Sequence, residues 1–390
     1  MDRSDDILTP NTAPWLADPV TQKLCLAFEA AGKELFFVGG CVRNAVLGAP
    51  VSDIDFATAA RPDQTTEIAE QAGFKAIPTG LEHGTITIIA DGVPFEVTTF
   101  RKDVETDGRH AEVAFSDHMK EDARRRDFTM NALYADRSGR VFDPVRGMDD
   151  ARAGVVRFID DPHDRIREDY LRILRFFRFS AWYGDAAAGM NSDALAAIAE
   201  LVDGLDTLSK ERVGQEMLKL CAAPDPVRAL ASMQATHVLG RVLPGAQIDF
   251  VGPLQHLEMQ TDTPPDALRR LAALGGTDID VALRLSKAQT KAVSQMQAAQ
   301  FDARSDPVLG QIYGAKWGWS GVLLQAAMRP AEVDAARKDA VAKGAAAVFP
   351  VSAADLQDRF EGPALGAELK RLKAEWLASD LLADKRDLLG

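Results

Sequence analysis

Asp53 and Asp55 stand two residues apart in Val51-Ser-Asp-Ile-Asp-Phe56, shortly after the stretch Phe36-Phe-Val-Gly-Gly-Cys-Val-Arg-Asn44. On a strand, residues two apart face the same way, with backbone positions about 6.6 Å apart. Two converging carboxylates beside a glycine-rich turn suit a divalent cation that also holds a triphosphate. Mg²⁺ takes oxygen ligands, commonly one or two carboxylates plus substrate phosphates. Asp-x-Asp alone is equally an exposed strand end with two solvated acids, so the flanking residues decide.

Upstream, Phe36-Phe37-Val38 has the character of a buried strand, Gly39-Gly40 breaks it, and Cys41 to Leu47 follows as a short helix closed by Gly48. A strand, a glycine turn and a helix leave free N–H groups at the helix start, which is an anion site. Arg43 on the first turn is placed to fork onto phosphate oxygens. The competing account is a tight packing turn with an exposed Arg43. The adjacent glycines do not fit a dinucleotide fingerprint, and no Gly-Lys-Ser/Thr of a P-loop follows. Downstream, Glu96 in the alternating strand Phe95-Glu-Val-Thr-Thr-Phe-Arg101 offers a third carboxylate, or an outward-facing acid.

The elements that must position these groups divide the chain. From about 35 to 145, short β-rich runs (Leu35–Val38, Ile54–Ala57, Thr85–Ala90, Phe95–Thr99, Ala132–Ala135) alternate with helical patterns and turn residues. Residues 1–14 read as a loose arm and Trp15–Gly32 as an opening helix. Beyond about 150, strand signals nearly vanish and apolar residues recur at helical spacing, as in Tyr170–Tyr183, Ala194–Leu205, Val213–Cys221, Val227–Met233, Pro265–Leu274 and Lys287–Phe301. Gly275-Gly276 and Pro330 suit joints, and Gly362-Pro363 suits a helix start. With 390 residues there is room for two or three cores. No stretch is apolar enough for a membrane span. Cys25, Cys41 and Cys221 are scattered, which fits a reducing cytoplasm. The net charge of −13 argues against binding nucleic acid by charge alone, yet seven arginines fall between Arg152 and Arg178. They form either a basic groove or a solvated face paired with Glu168 and Asp169. The six histidines show no paired-ligand spacing and no His-Asp phosphohydrolase pattern.

Further segments follow in order: Arg125-Arg-Asp-Phe-Thr-Met-Asn-Ala-Leu133, Phe142-Asp-Pro-Val-Arg-Gly-Met148, Arg167-Glu-Asp-Tyr-Leu-Arg-Ile-Leu-Arg-Phe-Phe-Arg-Phe179 and Lys210-Glu-Arg-Val-Gly-Gln-Glu-Met-Leu-Lys219. With Gly39-Gly40-x-x-Arg43 and Asp53-x-Asp55, this series closely resembles the class II tRNA nucleotidyltransferases, the CCA-adding enzymes, and the related bacterial poly(A) polymerases. The resemblance covers roughly residues 35 to 220 and weakens beyond, although Gly362-Pro-Ala-Leu-Gly366 is similar to the family's tail.

The resemblance implies an α+β protein: an N-terminal polymerase-β-type nucleotidyltransferase domain, a mixed sheet with helices, then an all-α neck, body and tail. The corresponding divisions are an arm and opening helix (1–34), a catalytic head (35–150), a neck with a base-reading helix (151–220), and an RNA-binding body (221–330) and tail (331–390). It implies CCA addition to the tRNA 3′ end from CTP and ATP, with two Mg²⁺ ions held by Asp53 and Asp55 and Glu96 assisting. Gly39, Gly40, Arg43 and Arg126 would cradle the nucleotide. Asp127, Asp143, Glu211 and Arg212 would give structural support. Asp169, Arg172, Arg175 and Arg178 step by three along one helix, and Asp169 with Arg172 would imitate a complementary base: Asp accepts from the exocyclic amine that C and A share, and Arg donates to ring nitrogen or carbonyl oxygen. The competing account of that helix is ordinary intrahelical pairing of Asp169 with Arg172. Two positions depart from the family. Asn44 replaces the usual Asp, where it would still support the turn. Ala111 replaces Pro in Asp107-Gly-Arg-His-Ala111, a stretch resembling the loop that assists the switch from C to A. Poly(A) polymerase, CC-only or A-only addition, and a catalytically silent tRNA-binding protein are the alternatives.

Overall fold

The structure is a computed structural model describing residues 3–104, 112–329 and 331–390. The loop expected at 107–111, with His110 and Ala111, and the joint at Pro330 lie outside the described residues. The chain forms two compact units, Met1–Gly204 and Leu205–Gly390.

The first unit is built on ten strands: β1 (Arg3–Ile7), β2 (Leu35–Val38), β3 (Asp55–Thr58), β4 (Lys75–Gly80), β5 (Thr85–Ala90), β6 (Val93–Thr99), β7 (Arg101–Val104), β8 (Glu112–Phe115), β9 (Tyr134–Ala135) and β10 (Arg140–Phe142). Eight make one sheet in the order β1-β10-β9-β2-β3-β6-β5-β4, and β7 and β8 form a separate hairpin. Within the large sheet only β3 and β6 run parallel, in a register that sets Asp55 opposite Glu96. Every residue of β2 is buried, as a central strand covered on both faces requires. Side chains alternate between faces. Trp15, Phe37, Phe56 and Phe95 form a run of tilted and edge-on ring contacts on one side; Phe36, Ala57, Phe100, Tyr134 and Phe142 pack on the other with Met119, Ala123 and Ile159.

Eight helices complete this unit: α1 (Pro19–Ala30), α2 (Gly40–Leu47), α3 (Pro62–Gln71), α4 (Met119–Arg124), α5 (Gly147–Arg152), α6 (Pro162–Glu168), α7 (Leu171–Tyr183) and α8 (Ser192–Glu200). Three expectations need correction. The arm is not wholly loose: residues 3–7 add an antiparallel edge strand beside β10. The opening helix begins at Pro19, because the Asp18 carboxylate accepts from the N–H groups of Val20 and Thr21 and so caps it there. Asp169 lies outside the arginine helix, in extended backbone between α6 and α7. Its carboxylate accepts from Leu171 N–H at 3.0 Å, the local bond with which Asp competes against helix.

The second unit opens with α9 (Lys210–Cys221), and among its described residues every regular element is helical. The helix expected after Gly362-Pro363 runs over Gly362–Ala378. Helices over Val251–Gln260, Asp306–Met328 and Ala335–Ala346 were not anticipated. Within this unit Glu258 pairs with both Arg269 and Arg270, all three at most 4 % exposed.

Candidate active site

β2 ends at Gly39, whose φ of +71° suits only a residue without Cβ. A Cβ there would stand 3.4 Å from Arg126 Nη1. The turn is pinned by Gly39 N–H donating to Leu133 O at 2.9 Å, and α2 then starts at Gly40. The expected strand–glycine–helix unit is therefore present, with Arg126 beside its glycine turn.

Arg43 differs from the exposed fork that its position suggested. It is buried, its guanidinium lying 4.0 Å from the Tyr183 ring centroid and 5.1 Å from that of Phe179. It donates to Asn44 Oδ1, to Tyr183 OH at 2.8 Å and to Asn131 Oδ1. Burial lowers its pKa from the ordinary arginine value, and the Tyr183 contact opposes that. Asn44 links two parts of the site: its Oδ1 accepts from Arg43, and its Nδ2 donates to Pro50 O at 2.6 Å. The latter bond braces the loop that leads to Asp53.

Asp55 opens β3, while Asp53 precedes the strand and takes a bond from Ser52 Oγ at 2.9 Å. The two acids thus do not share one strand face, since only Asp55 has strand geometry. They still sense each other. Loss of water, then the Glu96 carboxylate and then Asp53 raise the Asp55 pKa, and only Arg126 pulls it down. This is a carboxylate group short of positive charge, the donor set that a hard divalent cation satisfies. Among the described residues no three acid, histidine or cysteine side chains converge into a cage. Bound substrate oxygens and water would have to complete the coordination.

Arg126 is anchored from behind. Its Nη2 donates to Asp122 at 3.0 Å and its Nε to Tyr134 OH at 3.2 Å, while Tyr134 OH donates to the same carboxylate at 2.7 Å. Asp122 also accepts from Arg125 Nε at 2.8 Å. Burial alone would raise the Asp122 pKa, but Arg126, Arg125 and Tyr134 outweigh it and hold the group at about 2. Asp127 repeats the pattern. Burial opposes ionisation, yet Arg175, Asn131 and the Phe128 N–H keep its pKa below the ordinary value. Its oxygens accept from Arg175 Nε at 2.6 Å and Asn131 Nδ2 at 2.9 Å. An unbroken polar chain, Arg43–Asn131–Asp127–Arg175, thereby joins the glycine turn to α7.

On α7, Arg172 turns towards Glu168 rather than Asp169, and it also reaches the carbonyls of Arg165 at 2.9 Å and Arg125 at 3.2 Å. Its Nε makes no hydrogen bond with any described residue. Arg178 lies over Phe179 at 4.3 Å. Asp143 accepts from Gly147 and Met148 N–H at 2.7 and 2.9 Å and caps α5. Glu211 and Arg212 stand in the second unit, Glu211 pairing with Arg284 at 3.1 Å.

Asp122, Asn131, Tyr134 and Tyr183 were missed in the sequence. Asp122 could have been found, because Arg125 and Arg126 stand three and four residues on, the spacing of helical ion pairs. Tyr183 continues the Phe179 ridge at the same spacing. Asn131 and Tyr134 act through tertiary contacts that no local pattern announces.

A mixed sheet with an acid-bearing strand end, a glycine turn and an arginine-rich helix behind it defines a nucleotidyltransferase-type head. Residues 35–157 match the Poly A polymerase head domain, and residues 190–249 match the probable RNA and SrmB-binding site of polymerase A. Over these two stretches, and in the relatives that follow, the chain is similar to CCA-adding enzymes and poly(A) polymerases. It is 43% identical over 194 residues to human mitochondrial CCA tRNA nucleotidyltransferase 1, covering 50% of this chain and 45% of that protein. It is 39% identical over 216 residues to the CCA-adding enzyme of Geobacillus thermodenitrificans, covering 55% and 52%. The matching stretch thus spans about half the length of these relatives. The Bacillus stearothermophilus CCA-adding enzyme in complex with CTP superposes with a TM-score of 0.74 at 26% identity, over 93% of this chain and 94% of that one. A Thermotoga maritima CCA-adding enzyme complexed with tRNA shares the fold at 16% identity, with a TM-score of 0.68.

Proposed function

We propose that this protein adds C, C and A to tRNA 3′ ends from CTP and ATP, without a nucleic-acid template. The observation that carries the proposal is that acids, turn and helix belong to one contact network. Asp55 senses Arg126, Arg126 faces Gly39, and Arg172 bonds to the backbone of Arg125. The names of the relatives and the CTP and tRNA complexes of similar proteins support the same assignment.

The free N–H groups at the start of α2 would take triphosphate oxygens, with Arg126 balancing their charge from its Asp122 anchor. Arg43 would act from behind the turn, holding it to α7. Asp53 and Asp55 would hold two Mg²⁺ ions, with Glu96 beside them. When bound, such ions activate the attacking 3′-hydroxyl and steady the leaving pyrophosphate. The remaining demand of phosphoryl transfer is positioning, which the buried polar chain supplies. Asp169 and the Nε edge of Arg172 would select the base. U and G present an oxygen where Asp169 needs an amine, which disfavours them by about 1–3 kcal/mol. Residues 151–220 would act as neck, and 221–330 and 331–390 as body and tail against RNA. We infer a reducing, cytoplasm-like compartment from three free, buried cysteines. No helix among the described residues is long and apolar enough to cross a membrane.

The test is incubation of transcript tRNA lacking its end with Mg²⁺ and CTP alone, ATP alone, or both. Synthesis of CCA with both nucleotides is expected. A-tailing of any RNA would instead identify a poly(A) polymerase, partial addition a CC-only or A-only enzyme, and no incorporation a silent binder.

A further inference from the structure

The Gly39–Gly40 turn stands between two guanidinium groups. A Cβ on Gly39 would lie 3.4 Å from Arg126 Nη1, and one on Gly40 would lie 3.9 Å from Arg43 Nη2. The two arginines are held in different ways. Arg126 is answered by the Asp122 carboxylate at 3.0 Å. Arg43 is only 5 % exposed, yet it has no ion-pair partner among the described residues. A buried charge without a counter-charge is costly, so what surrounds this one matters.

Among the described residues, every group bonded to the Arg43 guanidinium is neutral. Asn44 Oδ1 accepts from Nε at 3.1 Å and from Nη2 at 2.8 Å, Tyr183 OH accepts from Nη2 at 2.8 Å, and Asn131 Oδ1 accepts from Nη1. The rings of Tyr183 and Phe179 lie against it, and ring faces attract a cation without neutralising it. Asp127 is linked to Arg43 by hydrogen bonds only through Asn131, and its carboxylate is already paired with Arg175 at 2.6 Å. Neutral acceptors satisfy the N–H donors and fix the side chain. They leave its charge uncancelled. Asn44 is the position where a carboxylate would cancel that charge with the least change of shape, because its Oδ1 already takes two of the guanidinium's bonds.

We propose that Asn44 is a positioning residue that holds Arg43 in place with its charge unanswered, so that the Gly39–Gly40 turn keeps a standing positive charge for a bound triphosphate. The anion that answers the buried guanidinium is then the polyphosphate itself, taken by the free N–H groups at the start of α2. That use of the charge rests on the nucleotidyl transfer proposed for this protein. If Arg43 served only to tie the turn to α7, a carboxylate at position 44 would tighten the tie and leave anion binding unchanged. If its charge serves the triphosphate, the same carboxylate weakens anion binding.

The test is calorimetric titration of the full chain and its variants with inorganic tripolyphosphate at low ionic strength, with EDTA present so that no metal bridges the anion. Saturable binding to the parent is expected. In Asn44→Asp the Kd should rise about tenfold, the order of effect that one added charge has on a multivalent anion nearby. This variant also loses the Nδ2 bond to Pro50 O, so Asn44→Ala is the control. It loses the bonds to Arg43 and Pro50 but adds no charge, and its Kd should stay within about threefold of the parent's. Arg43→Met removes the charge itself and should match Asn44→Asp. Melting curves by circular dichroism check that each variant is folded. Parent-like affinity in Asn44→Asp, equal losses in Asn44→Asp and Asn44→Ala, or no binding to the parent overturns the proposal. Nucleotide addition to transcript tRNA is measured on the same parent sample. A parent that binds tripolyphosphate with this variant pattern but adds no nucleotide removes the transferase reading and leaves the charge at the turn. A parent that adds C, C and A while Asn44→Asp binds as the parent does removes the role of Asn44 alone.

Discussion

At the scale of single residues, function and stability oppose each other at Asp55. Lost hydration, Glu96 and Asp53 all make its negative charge costly, and Arg126 offsets them only in part. Asp55→Asn removes that charge and keeps the shape. Nucleotide incorporation should fall by at least about 10³-fold, the scale on which charge-stabilising groups act in phosphoryl transfer. The melting temperature should not fall, because a repulsive group has been neutralised. Retained incorporation, or clear destabilisation by calorimetry, would contradict this account. Asp169→Ala tests a different role. The selectivity for C and A over U and G should shrink by about 1–3 kcal/mol, with tRNA affinity by filter binding nearly intact, and unchanged selectivity would remove Asp169 from base selection. Both acids are candidates from their types and motif order alone, and the position of Asp169 ahead of α7 was not foreseen. The inward turn of Arg43 was not legible either, because its partners Asn131 and Tyr183 are 88 and 140 residues away, and local spacing carries no information about such contacts.

At the scale of elements, α4 is the anchor of the site. This six-residue helix is too short to be stable alone, and its Asp122 is held by Arg125 and Arg126 nearby and by Tyr134 from β9. The folded-state pKa of about 2 lies below the ordinary 3.8. A depressed carboxyl pKa stabilises the fold above the unfolded value, and that stabilisation disappears as pH falls through the folded value. Asp122 should therefore contribute about 2 kcal/mol above pH ~4, lost between pH ~4 and ~2. Asp122→Asn should lower stability at neutral pH and flatten the acid limb of a pH–denaturation series. An acid limb that keeps its slope would show that other groups dominate it. The buried strand at 35–38 and the half-buried one at 85–90 were visible from β-branched and aromatic runs. The edge strand β1 was not, since Arg3-Ser-Asp-Asp-Ile7 is polar and becomes a strand only by pairing with β10. The start of α7 lies within one residue of the expected Tyr170, but the three-residue spacing put Asp169 on the same helix, whereas its carboxylate bond to Leu171 leaves it just before the first turn.

At the scale of the whole molecule, the chemistry proposed here is confined to residues 1–204, and the second unit has its own ionic centre. Glu258 answers Arg269 and Arg270 together, and Arg270 also donates to the carbonyls of Cys221 and Ala223. These bonds join the end of α9 to later helices of that unit. None of this could be read in the sequence, because Glu258 lies 11 and 12 residues from the two arginines, on a different helix. Glu258→Ala would leave two buried guanidinium groups without their carboxylate. Such uncompensated burial typically costs 3–5 kcal/mol, whereas an exposed pair such as Glu211–Arg284 is worth about 1 kcal/mol or less. Hydrogen exchange followed by mass spectrometry should therefore show faster exchange throughout 205–390 in Glu258→Ala, and little change in Glu211→Ala. In the same samples, peptides spanning β2, β3 and α4 should keep their protection, because they belong to the other compact unit. A uniform loss of protection along the chain would mean that the two units unfold together, and a Glu258→Ala protein as stable as the parent would mean that the ion trio contributes nothing net.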